Sequence, residues 1–185
     1  TELMLYPNGK TETKYVVPES VKIIDTYAFC FQLYIEEVVL PDNLEIIDEM
    51  SFAASPSLLS VTIPENVKLI DSTAFCYSMF IESIYIESKD VSFGEYIPLT
   101  IGNVRISVSR EEFLDFGRRF VNTRDDDEWN KMWYEVDEYL IYIDGLDYPT
   151  IYCHEGSTTE TYVKQMAEEN ILIEKQIKKL GDTPF

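Results

Sequence analysis

Basic residues are scarce in this chain: 15 lysines and arginines stand against 34 aspartates and glutamates, for a net charge of −19. A field of that sign repels phosphate backbones and anionic membrane surfaces, which argues against nucleic acid as a partner. It would attract a cationic partner or divalent cations, although an acidic surface also simply keeps a protein dispersed. No apolar run approaches the ~20 residues needed to span a bilayer. The chain opens on Thr1, without a charged leader or an apolar signal core, and reads as a trimmed or processed chain. Histidine occurs once, at His154, and cysteine three times, with no C-x-x-C spacing, so no metal site and no cofactor are expected.

What the chain does have is a repeat. Pro18–Asp25, Pro41–Asp48 and Pro64–Asp71 are three copies of one motif, and the three prolines are spaced 23 residues apart. Each copy continues into an anchor, Ala28-Phe29, Ser51-Phe52 or Ala74-Phe75, and ends in a short apolar strand, Val38–Leu40, Val61–Ile63 or Ile84–Ile86. Self-similarity at this period denotes a solenoid, in which each copy buries its apolar face only against its neighbours. The expected architecture is an α/β repeat solenoid, a short right-handed array. Val21, Leu44 and Val67 should stack, as should Ile23, Ile46 and Leu69, then Ile24, Ile47 and Ile70. Phe29, Phe52 and Phe75 should form a buried ladder, with Phe29 mattering less because it lies nearer the end. Asp25, Asp48 and Asp71 precede what reads as a short helical turn, where a carboxylate caps free N–H groups. An acidic ladder binding calcium is the alternative. Cys30 and Cys76 share one slot two copies apart, ~10 Å at a rung spacing of about 4.8 Å, too far for a disulfide. Cys153 could pair only if the C-terminal segment folds back.

The chain divides into residues 1–17, a hairpin turning at Pro7-Asn8-Gly9 and capping the array; 18–94, three repeats and a degenerate fourth; 95–146, an insert; and 147–185, a closing strand and helix. Within the insert, residues 100–108 and 138–144 read as strands. Ser109 and Glu112 form a capping box opening a helix, and Asp125–Glu128 open a second helical stretch carrying Trp129 and Trp133.

Side chains alternate along a strand. Val39, Thr62 and Tyr85 therefore point outward in line with Val16, flanked by Glu37, Ser60 and Ser83. This column is a candidate docking surface; ordinary strand propensity explains it equally. Trp129 and Trp133 are further binding candidates, because aromatic residues anchor interfaces; they could instead fasten the insert to the array. An enzyme is not expected. Cys153 and His154 are adjacent on a strand and so face opposite ways, and no carboxylate pair is singled out by pattern.

The repeat resembles the BspA-type leucine-rich repeat, carried here by Ile63-Pro64, Val67, Ile70, Ala74-Phe75, Ile81 and Ile84–Ile86. Asp25, Asp48 and Asp71 stand where that family commonly has glycine, and Cys30 and Cys76 directly follow the Ala-Phe pair. Residues 5–18 resemble the family's opening hairpin, and residues 150–164 its closing strand and helix. The resemblance implies a secreted or cell-surface bacterial protein without catalytic residues. It further implies adhesion, or binding of an extracellular protein or glycan. A structural spacer domain within a larger surface protein is the alternative.

Overall fold

The computed structural model describes residues 1–78, 80–94, 105–106, 140–141, 150–168 and 177–179. Over residues 1–94 the chain winds as a parallel β-solenoid of about four turns, each turn laying one strand on each of two faces. The first face is a sheet of β1 (Glu2–Leu3), β3 (Ile23–Ile24), β5 (Ile46–Ile47), β7 (Leu69–Ile70) and β9 (Ser92–Phe93), all parallel. The second face holds β2 (Lys14–Val16) paired with β4 (Glu37–Val39), and separately β6 (Ser60–Ile63) paired with β8 (Ser83–Ile86). On that face β12 (Thr150–Cys153) pairs parallel with β8, and β13 (Ile177–Lys179) with β12. The second face is thus completed by strands from far along the sequence.

The register follows the 23-residue period, with Ile24 opposite Ile47 and Ile47 opposite Ile70. Pro18, Pro41 and Pro64 begin each new turn, and their carbonyls accept from the N–H groups of Val21, Leu44 and Val67 at 2.9–3.2 Å. Proline suits the place because its fixed φ is already that of a tight turn. The aromatic ladder is continuous. Phe29 and Phe52 stack at 5.1 Å, Phe52 and Phe75 at 5.2 Å, with interplanar angles of 4° and 8°.

Several expectations are corrected. The strands flanking the Asn-Gly turn form no hairpin with each other: β1 pairs with β3 and β2 with β4, both in parallel. Residues 1–17 are an additional, abbreviated turn of the solenoid. Tyr6 occupies the ladder slot, stacked 5.5 Å from Phe29. Gly9, at φ 87°, supplies the left-handed corner between the two faces. Ile23, Ile46 and Leu69 do stack, but on the outer side, half-buried, while Ile24, Ile47 and Ile70 face the core. The aspartates do cap free N–H groups, and the segments they open are short turns. Asp25 and Asp48 each accept from the next residue's N–H, and Asp71 accepts from the N–H and hydroxyl of Thr73.

Cys30, Ala53 and Cys76 share a slot in a small separate apolar cluster with Phe31 and Ala54. All three cysteines are buried and free. Burial pushes the Cys76 thiol up to about 12 and the Cys30 thiol higher still. In the insert, β10 (Arg105–Ile106) and β11 (Leu140–Ile141) pair antiparallel. The helices expected between them lie outside the described residues, as do Trp129 and Trp133. The closing helix is α1 (Thr158–Glu168). Ser157 caps it by accepting from the N–H of Glu160, whose carboxylate accepts from the N–H of Gly156. Among the described residues no helix is long and apolar enough to cross a membrane.

Candidate functional site

The outer side of the second face carries the column expected from the sequence. Val16 stands opposite Val39, and Thr62 opposite Tyr85. Val16 is 58% exposed and Val39 36%, high for aliphatic side chains on a strand. Inward neighbours Val38, Val61, Ile84 and Ile86 are buried, which fixes the outward direction of the column. The sequence reading missed one member. Tyr152 lies opposite Tyr85, and the rings stack at 4.6 Å and 14°. The aromatic end is therefore a pair assembled from strands that are distant in sequence, in which Tyr85 is half-buried and Tyr152 is buried. Alternation within residues 150–153 was the available signal, but nothing in the sequence set their register.

The flanking column is Lys14, Glu37, Ser60, Ser83 and Thr150. Glu37, a candidate residue, is ion-paired with Lys14 at 2.7 Å, and both are about half exposed. Such a pair contributes about 0–1 kcal/mol; it also neutralises the acid on this side of the column. Between β4 and β6 lies a depression of about 350 Å³, lined by Glu37, Val39, Asp42, Ser60, Thr62 and Glu87 among others. Three of the six candidate site residues, Glu37, Val39 and Thr62, border it.

The depression coincides with a gap in backbone pairing. Elsewhere on this face adjacent rungs are joined: Val17 N–H donates to Val39 O at 3.0 Å, Glu37 N–H to Thr13 O at 3.0 Å, and Glu82 N–H to Leu59 O at 2.8 Å. One rung on, the corresponding bonds would run from Leu40 N–H to Thr62 O and from Ser60 N–H to Glu36 O. Among the described residues neither is made, and β4 and β6 belong to different sheets. The first face stays paired across the same two rungs, so the opening is confined to the side bearing the column.

A nucleophile is not assembled at the closing strand. Cys153 is buried, and desolvation raises its thiol pKa against a weaker lowering by its hydrogen bond with Ser157. A thiol held neutral is a poor nucleophile. Among the described residues no three His, Cys, Asp or Glu side chains converge as metal ligands do.

Parallel rungs at a 23-residue period, an aromatic ladder and proline-started turns define a leucine-rich-repeat solenoid. Residues 8–104, just over half of the chain, match the BspA type leucine rich repeat region, a match of six copies, and the chain belongs to this family. Among solved structures it is similar to a leucine rich cell surface protein from Faecalibacterium prausnitzii A2-165. The two are 22% identical at a TM-score of 0.39, over 48% of this chain and 30% of that one. The chain thus spans less than a third of that protein. No match is found among curated proteins.

Proposed function

We propose that this chain is a non-catalytic binding module of the cell exterior, recognising a protein or glycan through the outer side of its second face. One observation carries the reading: the column Val16, Val39, Thr62 and Tyr85 lies in register within each paired sheet, with exposed aliphatics at one end and half-buried Tyr85, stacked on the buried Tyr152, at the other. Tyrosine and exposed aliphatic groups on a rigid scaffold provide contact area at little entropic cost. Family membership supports a leucine-rich-repeat module of the cell-surface kind and supplies no catalytic residues. The insert at 95–146, with Trp129 and Trp133, is the second region proposed to contribute specificity.

The test is a binding screen of the intact chain against extracellular-matrix proteins and host glycans at physiological salt. It is repeated with Val39→Lys and Tyr85→Ala. A hit weakened at least tenfold by either substitution supports the face. A hit indifferent to both moves the site to the insert. Absence of any hit from a folded chain favours the alternative, a spacer domain of a larger surface protein.

A further inference from the structure

We infer that the open seam between β4 and β6 receives the basic side chain, arginine above all, of an extended peptide lying across the second face. This deepens the binding reading above and rests on it. Among the described residues the seam leaves hydrogen-bonding groups of two rungs unpaired: the N–H groups of Leu40 and Ser60 and the carbonyls of Glu36 and Thr62. Backbone groups withdrawn from a ladder need other partners. A whole strand does not fit as that partner. Cα atoms of β4 and β6 still approach within 8 Å, whereas an inserted strand needs two spacings of about 4.8 Å. The space therefore excludes a further strand, which leaves a side chain as the partner.

Charge selects which one. Glu37, at the start of β4, is already neutralised by Lys14. Asp42 and Glu87, beyond the far ends of the strands, also line the depression, are exposed, and have no cationic partner among the described residues. A guanidinium is planar and carries five donors, matching carbonyls on one side and carboxylates on the other. The peptide's own amides are placed to use the hydroxyls of Ser60 and Thr62. The overall charge of −19 draws such a ligand in from solution.

The experiment uses the full chain and a fluorescein-labelled hexapeptide alternating arginine and alanine, titrated by anisotropy at 150 mM salt, the approximate physiological ionic strength. Asp42→Asn with Glu87→Gln is compared with Glu2→Gln plus Glu49→Gln, which removes the same charge away from the seam. At least a tenfold loss in the first pair with less than a twofold change in the second is the expected result. Equal losses mean attraction to net charge alone and overturn the inference. Amide exchange gives an independent reading. In the free chain Leu40 and Ser60 should exchange much faster than Glu37 and Ser83, and saturating peptide should slow them. Equal protection in the free chain means a closed seam and overturns the proposal, as does protection by chitotriose but not by the peptide. A failed peptide beside a screen hit sensitive to Val39 and Tyr85 sinks the seam alone; failure of both sinks the face.

Discussion

Phe52→Ala tests the stacked architecture most directly. The Phe52 ring is fully buried and has a neighbouring ring on each side, Phe29 at 5.1 Å and Phe75 at 5.2 Å. Truncation removes two offset-stacked contacts, each worth ~0.5–1.5 kcal/mol beyond area burial. It also leaves a cavity whose walls cannot readily close. The rungs are tied by backbone bonds from Phe29 N–H to Ser51 O and from Phe52 N–H to Ala74 O, at 2.6 and 2.8 Å. A site that cannot collapse belongs at the upper part of the range for such changes, so the expected loss is ~4 kcal/mol. Against a total stability of ~5–15 kcal/mol this is a large fraction. Phe52→Leu keeps most of the volume but loses both stacked contacts, and should cost ~1–3 kcal/mol. Phe29→Ala should cost within ~1 kcal/mol of Phe52→Ala. The sequence places Phe29 nearer the end of the ladder, but Tyr6 stacks on its far side at 5.5 Å, so it has a ring on each side. Urea denaturation followed by far-ultraviolet circular dichroism, with m unchanged, reads all three. A loss under ~1 kcal/mol for Phe52→Ala would refute the ladder as a stabilising element.

Other perturbations separate the remaining interactions. Ser78 Oγ donates to Phe52 O at 2.6 Å and accepts from Ser55 N–H at 3.2 Å. Ser78→Ala therefore strands two buried backbone groups and should cost ~2 kcal/mol. Ser51 is as buried, yet its hydroxyl has no hydrogen-bond partner among the described residues. Ser51→Ala should be neutral or stabilise by up to ~1 kcal/mol, and equal losses for the two serines in urea titration would contradict this accounting. Tyr27 is 42% exposed at φ 61°, so Tyr27→Gly should relieve left-handed strain and, net of glycine's entropy, raise stability by ~0.5 kcal/mol. A clear drop in melting temperature would mean that its ring packs more tightly than its exposure indicates. The buried thiols should resist iodoacetamide at pH about 8 in the native chain and react once it is unfolded; rapid native labelling of Cys30 or Cys76 would count against their burial. Because the folded Cys76 thiol is raised to about 12, the unfolded chain loses that proton first. The stability is thus fully present below the ordinary thiol range near pH 8.5 and should fall as pH rises from there toward the folded value. Flat stability from pH about 8 to about 11 in Cys76-containing chain, matched by Cys76→Ala, would rule that linkage out.

The core was legible because a periodic sequence states its packing several times over. Phe29, Phe52 and Phe75 occupy one slot, and one slot in a parallel array means one stack. The same arithmetic pointed to more than was read from it. Tyr6 lies 23 residues before Phe29, which identifies residues 1–17 as a further turn; the Asn-Gly signal looks alike whether its strands pair together or sideways. Gln32, Ser55 and Ser78 also share a slot, and their side chains donate to the carbonyls of Tyr6, Phe29 and Phe52 in turn. These buried polar residues are the side-chain equivalent of the backbone ladder, hidden from a reading that followed apolar positions. The half-buried column of Ile23, Ile46 and Leu69 shows the converse limit. Period tells which residues stack; it does not tell which side of a two-residue strand they stack on. Tyr152 was out of reach for a different reason, since its partner Tyr85 is 67 residues away and nothing periodic connects them.

The contrast between inward and outward slots carries the functional argument further than either alone. Inward slots repeat nearly unchanged: Ile24, Ile47 and Ile70 on the first face, Val38, Val61 and Ile84 on the second. Packing against identical neighbours forces that constancy, since a change of one methylene is felt in a close-packed stack. The outward column passes from valine through threonine to a tyrosine pair within the same span. Valine, threonine and tyrosine all favour strands, so propensity alone does not set their order along the column. The backbone pairing breaks where the column changes character, between Val39 and Thr62, and only on this face. A scaffold that is regular where it holds itself together and graded where it meets its surroundings presents one distinguishable place along its length. The seam is that place, and it is where a ligand is proposed to dock.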